Sequence, residues 1–154
     1  MTSLESLITI AISAAPVAEL RGGLPYALAR GATPVVAFVL AVAGNLVVVP
    51  ILLFGLRTAE RVLRRWQLTA RLMEHVFART RRKGKWVDRF GLLGLFLLVA
   101  IPLPGTGAWT GAIAAVLLGV PIKRAFAVIA LGVLAAGVLV LFASLGAFEL
   151  LGVA

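Results

Sequence analysis

Apolar positions in this chain come in long unbroken runs, without the polar face that a water-exposed helix or strand would carry. Two runs, Val35 to Leu56 and Ala125 to Phe148, would reach about 33 and 36 Å as helices, enough to cross a hydrocarbon core of roughly 30 Å. Two others are cut short. Leu7 to Ala15 is stopped by Pro16, and Leu92 to Ile101 by Pro102 and Pro104, leaving limbs of about 15 Å that reach the midplane of a bilayer and no further. A second short limb follows each stop, Leu24 to Ala29 in one case and Gly111 to Leu118 in the other. Gly31 and Pro34 end the first, Gly119 and Pro121 the second. Limb, break and limb predict a re-entrant helical hairpin, and each hairpin leads into one full span.

The two halves are copies of one another. A shift of 88 positions superimposes Pro16 on Pro104, Gly23 on Gly111, Ala27 on Ala115, Gly31 on Gly119, Phe38 on Phe126 and Gly44 on Gly132 without a gap. The chain therefore reads as an all-α integral membrane protein and a single membrane domain over 1–154. Repeat 1 covers 1–56, a basic amphipathic surface helix 57–89, and repeat 2 the stretch 90–154.

Composition agrees with this class: 62% of residues are hydrophobic, 14% are charged and mean hydropathy is +1.09, values foreign to a soluble domain. Charge then orients the chain. Eleven basic residues lie between Arg57 and Arg89, and Lys123 and Arg124 follow the second hairpin. All thirteen reach the cytoplasmic side only if the stretch from Leu92 to Leu118 dips in and returns. The two copies are then inverted in the membrane, with the first hairpin dipping from the outer face. Leu7 to Ala15 lacks a basic flank and carries Glu5 instead, so it reads as a limb rather than a cleaved signal.

In the central segment Ala59, Val62, Trp66, Ala70, Met73 and Phe77 recur at helical spacing, flanked by arginines. An amphipathic helix on the inner leaflet follows, acting as a topology anchor or as a reader of anionic headgroups. A pI near 11.7 would also suit nucleic acid, but membrane orientation already explains the cations, and no nucleic-acid partner is expected. The lone His75 sits on this helix as a solvated residue. With no cysteine, no metal-ligand cluster and no Ser, His and Asp set, no cofactor and no enzymatic activity are expected.

Candidate chemistry lies at the breaks. AELRGGLPYAL brings Glu19, Arg21, Gly22, Gly23 and Pro25 to the tip of the first hairpin. Opposite charges so close can neutralise each other. They either bind a proton and an anionic substrate group or satisfy backbone groups freed by the break. IPLPGTGAWTGA offers Pro102, Pro104, Gly105, Thr106, Gly107, Trp109 and Thr110, with a helix N-terminus suited to an anion. Asn45, halfway along the first span, lines the same cavity or bonds to a neighbouring helix. Small residues every fourth position, Gly107, Gly111, Ala115 and Gly119, and Gly23, Ala27 and Gly31, allow close helix approach. They pack hairpin against span or form a subunit interface.

The strings AELRGGLPYAL, AVAGNLVVVP and FGLLGLFLLVAIPLPGTGAWTGAIAAVLLGVPIKRA resemble the small multidrug export protein family, a branch of the DedA superfamily. The resemblance implies a prokaryotic plasma-membrane protein with paired re-entrant loops. It also implies export of an amphipathic or anionic lipid-like substrate, proton coupling at Glu19 with Arg21, or passage of polyprenyl phosphate lipids between leaflets. The second loop carries no charged pair, so a two-acid relay does not transfer. A chain this small is expected to self-associate. A non-transporting assembly or holin-like module is the competing class, and a buried Glu and Arg speak against it.

Overall fold

The computed structural model describes residues 1–63, 91–103, 105–150 and 152. Among these residues are six helices and no strand: α1 (Ser3–Ala14), α2 (Glu19–Ala29), α3 (Pro34–Leu63), α4 (Leu92–Ala100), α5 (Ala108–Leu117) and α6 (Ile122–Leu150). The order short, short, long occurs twice. Pro34–Ala59 of α3 and the whole of α6 are long and apolar enough to cross a membrane.

Local signals explain the boundaries. Thr2 caps α1 in a capping box: its hydroxyl accepts from the Glu5 N–H at 3.3 Å and the Glu5 carboxylate accepts from the Thr2 N–H at 2.8 Å. Pro16 then ends α1, and Pro102 ends α4 after Ala100. The two second limbs close with the same Schellman motif, 88 positions apart. Ala32 N–H donates to the Ala27 carbonyl at 3.0 Å and Val120 N–H to Ala115 at 2.9 Å. The glycines before them, Gly31 and Gly119, stand at φ +78° and +65°.

Several boundaries differ from the sequence expectation: α1 starts at Ser3 rather than Leu7 and α6 at Ile122 rather than Ala125, and three differences bear on the site. α2 starts at Glu19, ahead of Leu24, so Glu19, Arg21, Gly22, Gly23 and Pro25 lie on a helix and the turn is made by 15–18. Pro25 is tolerated inside α2, giving up only one bond, to the Arg21 carbonyl. α5 starts at Ala108, which puts Trp109 and Thr110 in its first turn. Finally, α3 continues to Leu63 instead of ending at Leu56: no helix breaker stands at the change from apolar to basic sequence. The rest of the surface helix expected over 57–89, with His75, and the turn residue Pro104 lie outside the described residues.

Packing repeats with the sequence. α1 packs on α2 and α3, as α4 packs on α5 and α6. α2 touches both long helices, and so does α5, while α3 and α6 cross each other. Within each copy the first limb seats in a notch made by two glycines. A side chain at Gly23 would collide with the Ser13 hydroxyl, and one at Gly44 would meet Ile10 O at 2.5 Å and Ser13 Cβ at 2.8 Å. In the second copy Val99 plays the part of Ser13, 2.5 Å from a Cβ at Gly111 and 2.7 Å from one at Gly132. Gly44 and Gly132 thus let each hairpin approach its span, while Gly23 and Gly111 let the two limbs of each hairpin approach one another. Gly31 and Gly119, at the ends of the stripes, meet nothing within 4 Å and serve as caps. Leu20, Leu24, Leu53, Leu95 and Ile129 fill the core between the helices, where tight van der Waals contact is the main source of stability in lipid.

Candidate functional site

The two breaks come together, and each supplies what the other lacks. A broken helix frees carbonyls at one end and N–H groups at the next, and inside an apolar bundle each needs a partner. The last turn of α1 is met by the Trp109 indole, whose Nε1 donates to the Ala14 carbonyl at 3.1 Å. Asn45, fully buried on α3, spans the same break. With its amide assigned so that both groups find partners, Nδ2 donates to the Ser13 carbonyl at 3.2 Å and Oδ1 accepts from the Leu20 N–H at 2.9 Å. Of its two sequence readings, the bond to a neighbouring segment is the one formed.

Glu19 opens α2 with φ +48°, a left-handed conformation that among the described residues no other non-glycine adopts. This backbone turns its carboxylate toward the N-terminus of α5, where Oε1 accepts from the Trp109 N–H at 3.3 Å and the Ala108 N–H also donates to it. The residue is buried, with 6% of its surface exposed. The positive end of the α5 dipole, expected to suit an anion, is thus filled by the protein's own carboxylate. Gly107 makes that approach possible, since a Cβ there would overlap the Glu19 carboxylate; its φ of +139° favours glycine independently.

Arg21, in the first turn of α2, is half-buried and crosses to the second break. Nη1 donates to the Leu103 carbonyl, and Nη2 donates to the Thr106 carbonyl at 2.6 Å and to Thr106 Oγ1 at 3.1 Å. Glu19 and Arg21 do not form the ion pair with each other that their spacing suggested. The described residues pair Glu5 with Arg30 instead, at 3.1 Å across the open end of the first hairpin. Thr106 also ties the second break to itself, its hydroxyl 2.8 Å from the carbonyls of Ile101 and Leu103. Thr110 adds a bond from Oγ1 to the Gly105 carbonyl at 3.0 Å.

The remaining candidates divide by location. Gly22 faces α1, where a Cβ would stand 3.2 Å from Ile12 Cγ2, and Gly23 is part of the Ser13 notch. Pro25 and Pro102 instead join Arg21 in lining a cavity of about 480 Å³ against Leu139, Ala143, Ser144 and Phe148 of α6. A second cavity of about 310 Å³ continues past Phe148 to Gly31 and Pro34. Sequence reading missed this α6 wall because its residues look like any lipid-facing span. Ser144, a buried hydroxyl bonded to the Val140 carbonyl at 2.7 Å, was its one visible signal.

Searches of curated proteins and of solved structures find no match. Residues 19–139 match the model of the family described as "putative small multi-drug export protein". That stretch begins at Glu19 and takes in Arg21, Asn45, the whole second break and more than half of α6, and the chain belongs to this family.

Proposed function

We propose that this protein is a membrane transporter that exports small amphipathic or lipid-like compounds along a path through the junction of its two breaks. The observation that carries the reading is the placement of Glu19 and Arg21. Two ionisable side chains sit between interrupted apolar helices, where charge is expensive and a purely structural role could be filled by neutral groups. The description of the family supports export. In this reading both hairpins are re-entrant, the copies are inverted, and the wider kinship is with the DedA superfamily. The basic segment after α3 faces the cytoplasm of a prokaryotic plasma membrane. Copies of the chain associate in the bilayer, and no cofactor is needed.

Glu19 is the coupling group. Protonation would remove the charge that holds the α5 N-terminus and weaken its bonds to the Ala108 and Trp109 N–H groups, freeing the two breaks to separate. Arg21 takes the anionic part of the substrate. A second reading, movement of lipid or polyprenyl phosphate between leaflets, is favoured by the apolar, open-sided cavities beside Arg21.

Reconstitution tests both. Wild type and Glu19→Gln are placed in proteoliposomes with an internal pH dye, and transport of amphipathic solutes and of fluorescent phosphate-bearing lipids is followed. Solute movement coupled to proton flux in wild type alone supports export, and lipid movement without proton flux supports the second reading. A protein that moves neither, though folded and inserted, would overturn both.

A further inference from the structure

The two copies differ at the ends where their second limbs close. Val120, whose N–H completes the cap of α5, also accepts at its carbonyl from Nη2 of Arg57 on α3, at 2.6 Å. At the offset of 88, Arg57 corresponds to Leu145 and Val120 to Ala32. Those two counterparts are neighbours as well, but they line a groove of about 310 Å³, with Leu28, Ala32 and Pro34 on one side and Leu145 and Phe148 of α6 on the other. The same pairing is therefore bridged by a charge-assisted bond in one copy and left open beside a leucine in the other. Burial follows the difference. Val116 is 7% exposed, whereas its counterpart Leu28, in the groove, is only half-buried. Pro34 and Arg57 lie about 35 Å apart along α3, so the groove and the bridged pair mark opposite ends of the bundle.

We propose that Arg57 is a latch: its bond to Val120 holds one end of the bundle closed while the other stands open at the groove, and its release lets the two ends exchange states. The bond ties the end of a long helix of one copy to the second limb of the other, so it must break if the copies shift against one another. The cap of α5 does not require it. Val120 N–H is already bonded to the Ala115 carbonyl, and Ala32 completes the matching cap of α2 with a leucine, which has no donor, in the place of Arg57. Both arrangements keep the same helices and caps, so a single charged bond, about a factor of ten in population, decides which end is open. This deepens the transporter reading and rests on it only for what passes when the ends exchange, since opening is measurable without transport.

The chain has no cysteine, so single substitutions report each end: Leu28→Cys in the groove and Val116→Cys at the matching place. Each is reacted with a membrane-impermeant maleimide in phosphatidylcholine nanodiscs, where both bilayer faces meet the reagent and the rate reads local opening. Leu28→Cys should react about tenfold faster than Val116→Cys, the factor for one charged hydrogen bond. Adding Arg57→Leu should make the two ends equal, with Val116→Cys about fivefold faster and Leu28→Cys about twofold slower, because the populations sum to one. Leu145→Arg offers the Ala32 carbonyl a second latch and should also equalise the rates; it keeps Arg57 and so keeps the test decisive if Arg57→Leu fails to fold. Exchanging both residues should reverse the order of the rates. A faster Val116→Cys with Leu28→Cys unchanged would make Arg57 a local brace, and that result, or unchanged rates at both ends, would overturn the proposal. Reciprocal rates in a protein that transports nothing would sink the transporter reading and leave the latch standing.

Discussion

The first and second breaks hold equivalent places in the two copies, yet one carries the charge and the other receives it. At the offset of 88, Glu19 corresponds to Gly107 and Arg21 to Trp109. The first pair are in contact, the Glu19 carboxylate occupying the space a side chain at Gly107 would need. Two acids at these positions would bring like charges together inside an apolar bundle, and two glycines would leave the α5 N-terminus uncapped. The second pair keeps its role and changes its chemistry. Arg21 donates into the carbonyls of the second break and Trp109 into the carbonyl of the first, one with a full charge and one without. The two halves share the caps and the glycine notches, where geometry is all that matters. They differ where they meet, because identical groups there cannot both be accommodated.

The comparison is broken most severely at its point of contact. Gly107→Ala adds a methyl where the carboxylate lies and forces alanine to φ +139°, a loss of about 3 kcal/mol. Combining it with Glu19→Gly should restore more than half of that loss, since the second change removes the obstructing carboxylate. Unfolding in SDS-containing mixed micelles would show it as strong non-additivity. Losses that simply add would mean that the two residues do not meet.

Removing the crossed donors sharpens the difference between the copies. Arg21→Gln gives up charge-assisted bonds and should destabilise by about 2–3 kcal/mol, against about 1 kcal/mol for Trp109→Phe, which loses one neutral bond. The order should persist in the same unfolding assay, and equal losses would argue that the charge on Arg21 contributes nothing to stability. Asn45→Leu belongs with the larger effects at about 2 kcal/mol, because it strands the Ser13 carbonyl and the Leu20 N–H in the interior. At its counterpart, Val133→Leu should show only a packing effect.

The smallest change lies at the hairpin mouth. Glu5→Gln breaks the ion pair to Arg30, whose side chain is half exposed at 52%, and should leave stability unaltered within error at 0.15 M salt. A clear loss there would show that the mouth of the first hairpin is clamped by charge.

Much of this architecture was legible in the chain. Uninterrupted apolar runs marked the long helices, prolines marked the breaks, and glycines at a fixed offset announced two copies with the same caps and notches. Those features depend on interactions within a few residues, which residue order reports directly. Element starts were less legible: Glu19 was placed in a turn, although it begins a helix with an unusual φ that no pattern of residue types encodes. Glu19, Arg21, Asn45 and Trp109 could be picked out as chemically unusual in so apolar a sequence, but their partners could not. Adjacent charges suggested mutual neutralisation, whereas each reaches a group 82 to 90 positions away, on the opposite break. The groove wall on α6 was hidden for a related reason, since a leucine facing lipid and a leucine facing a cavity are the same residue in sequence. Which of them it is, and which carbonyl a given donor finds, follows from how closely the glycine notches let the helices cross.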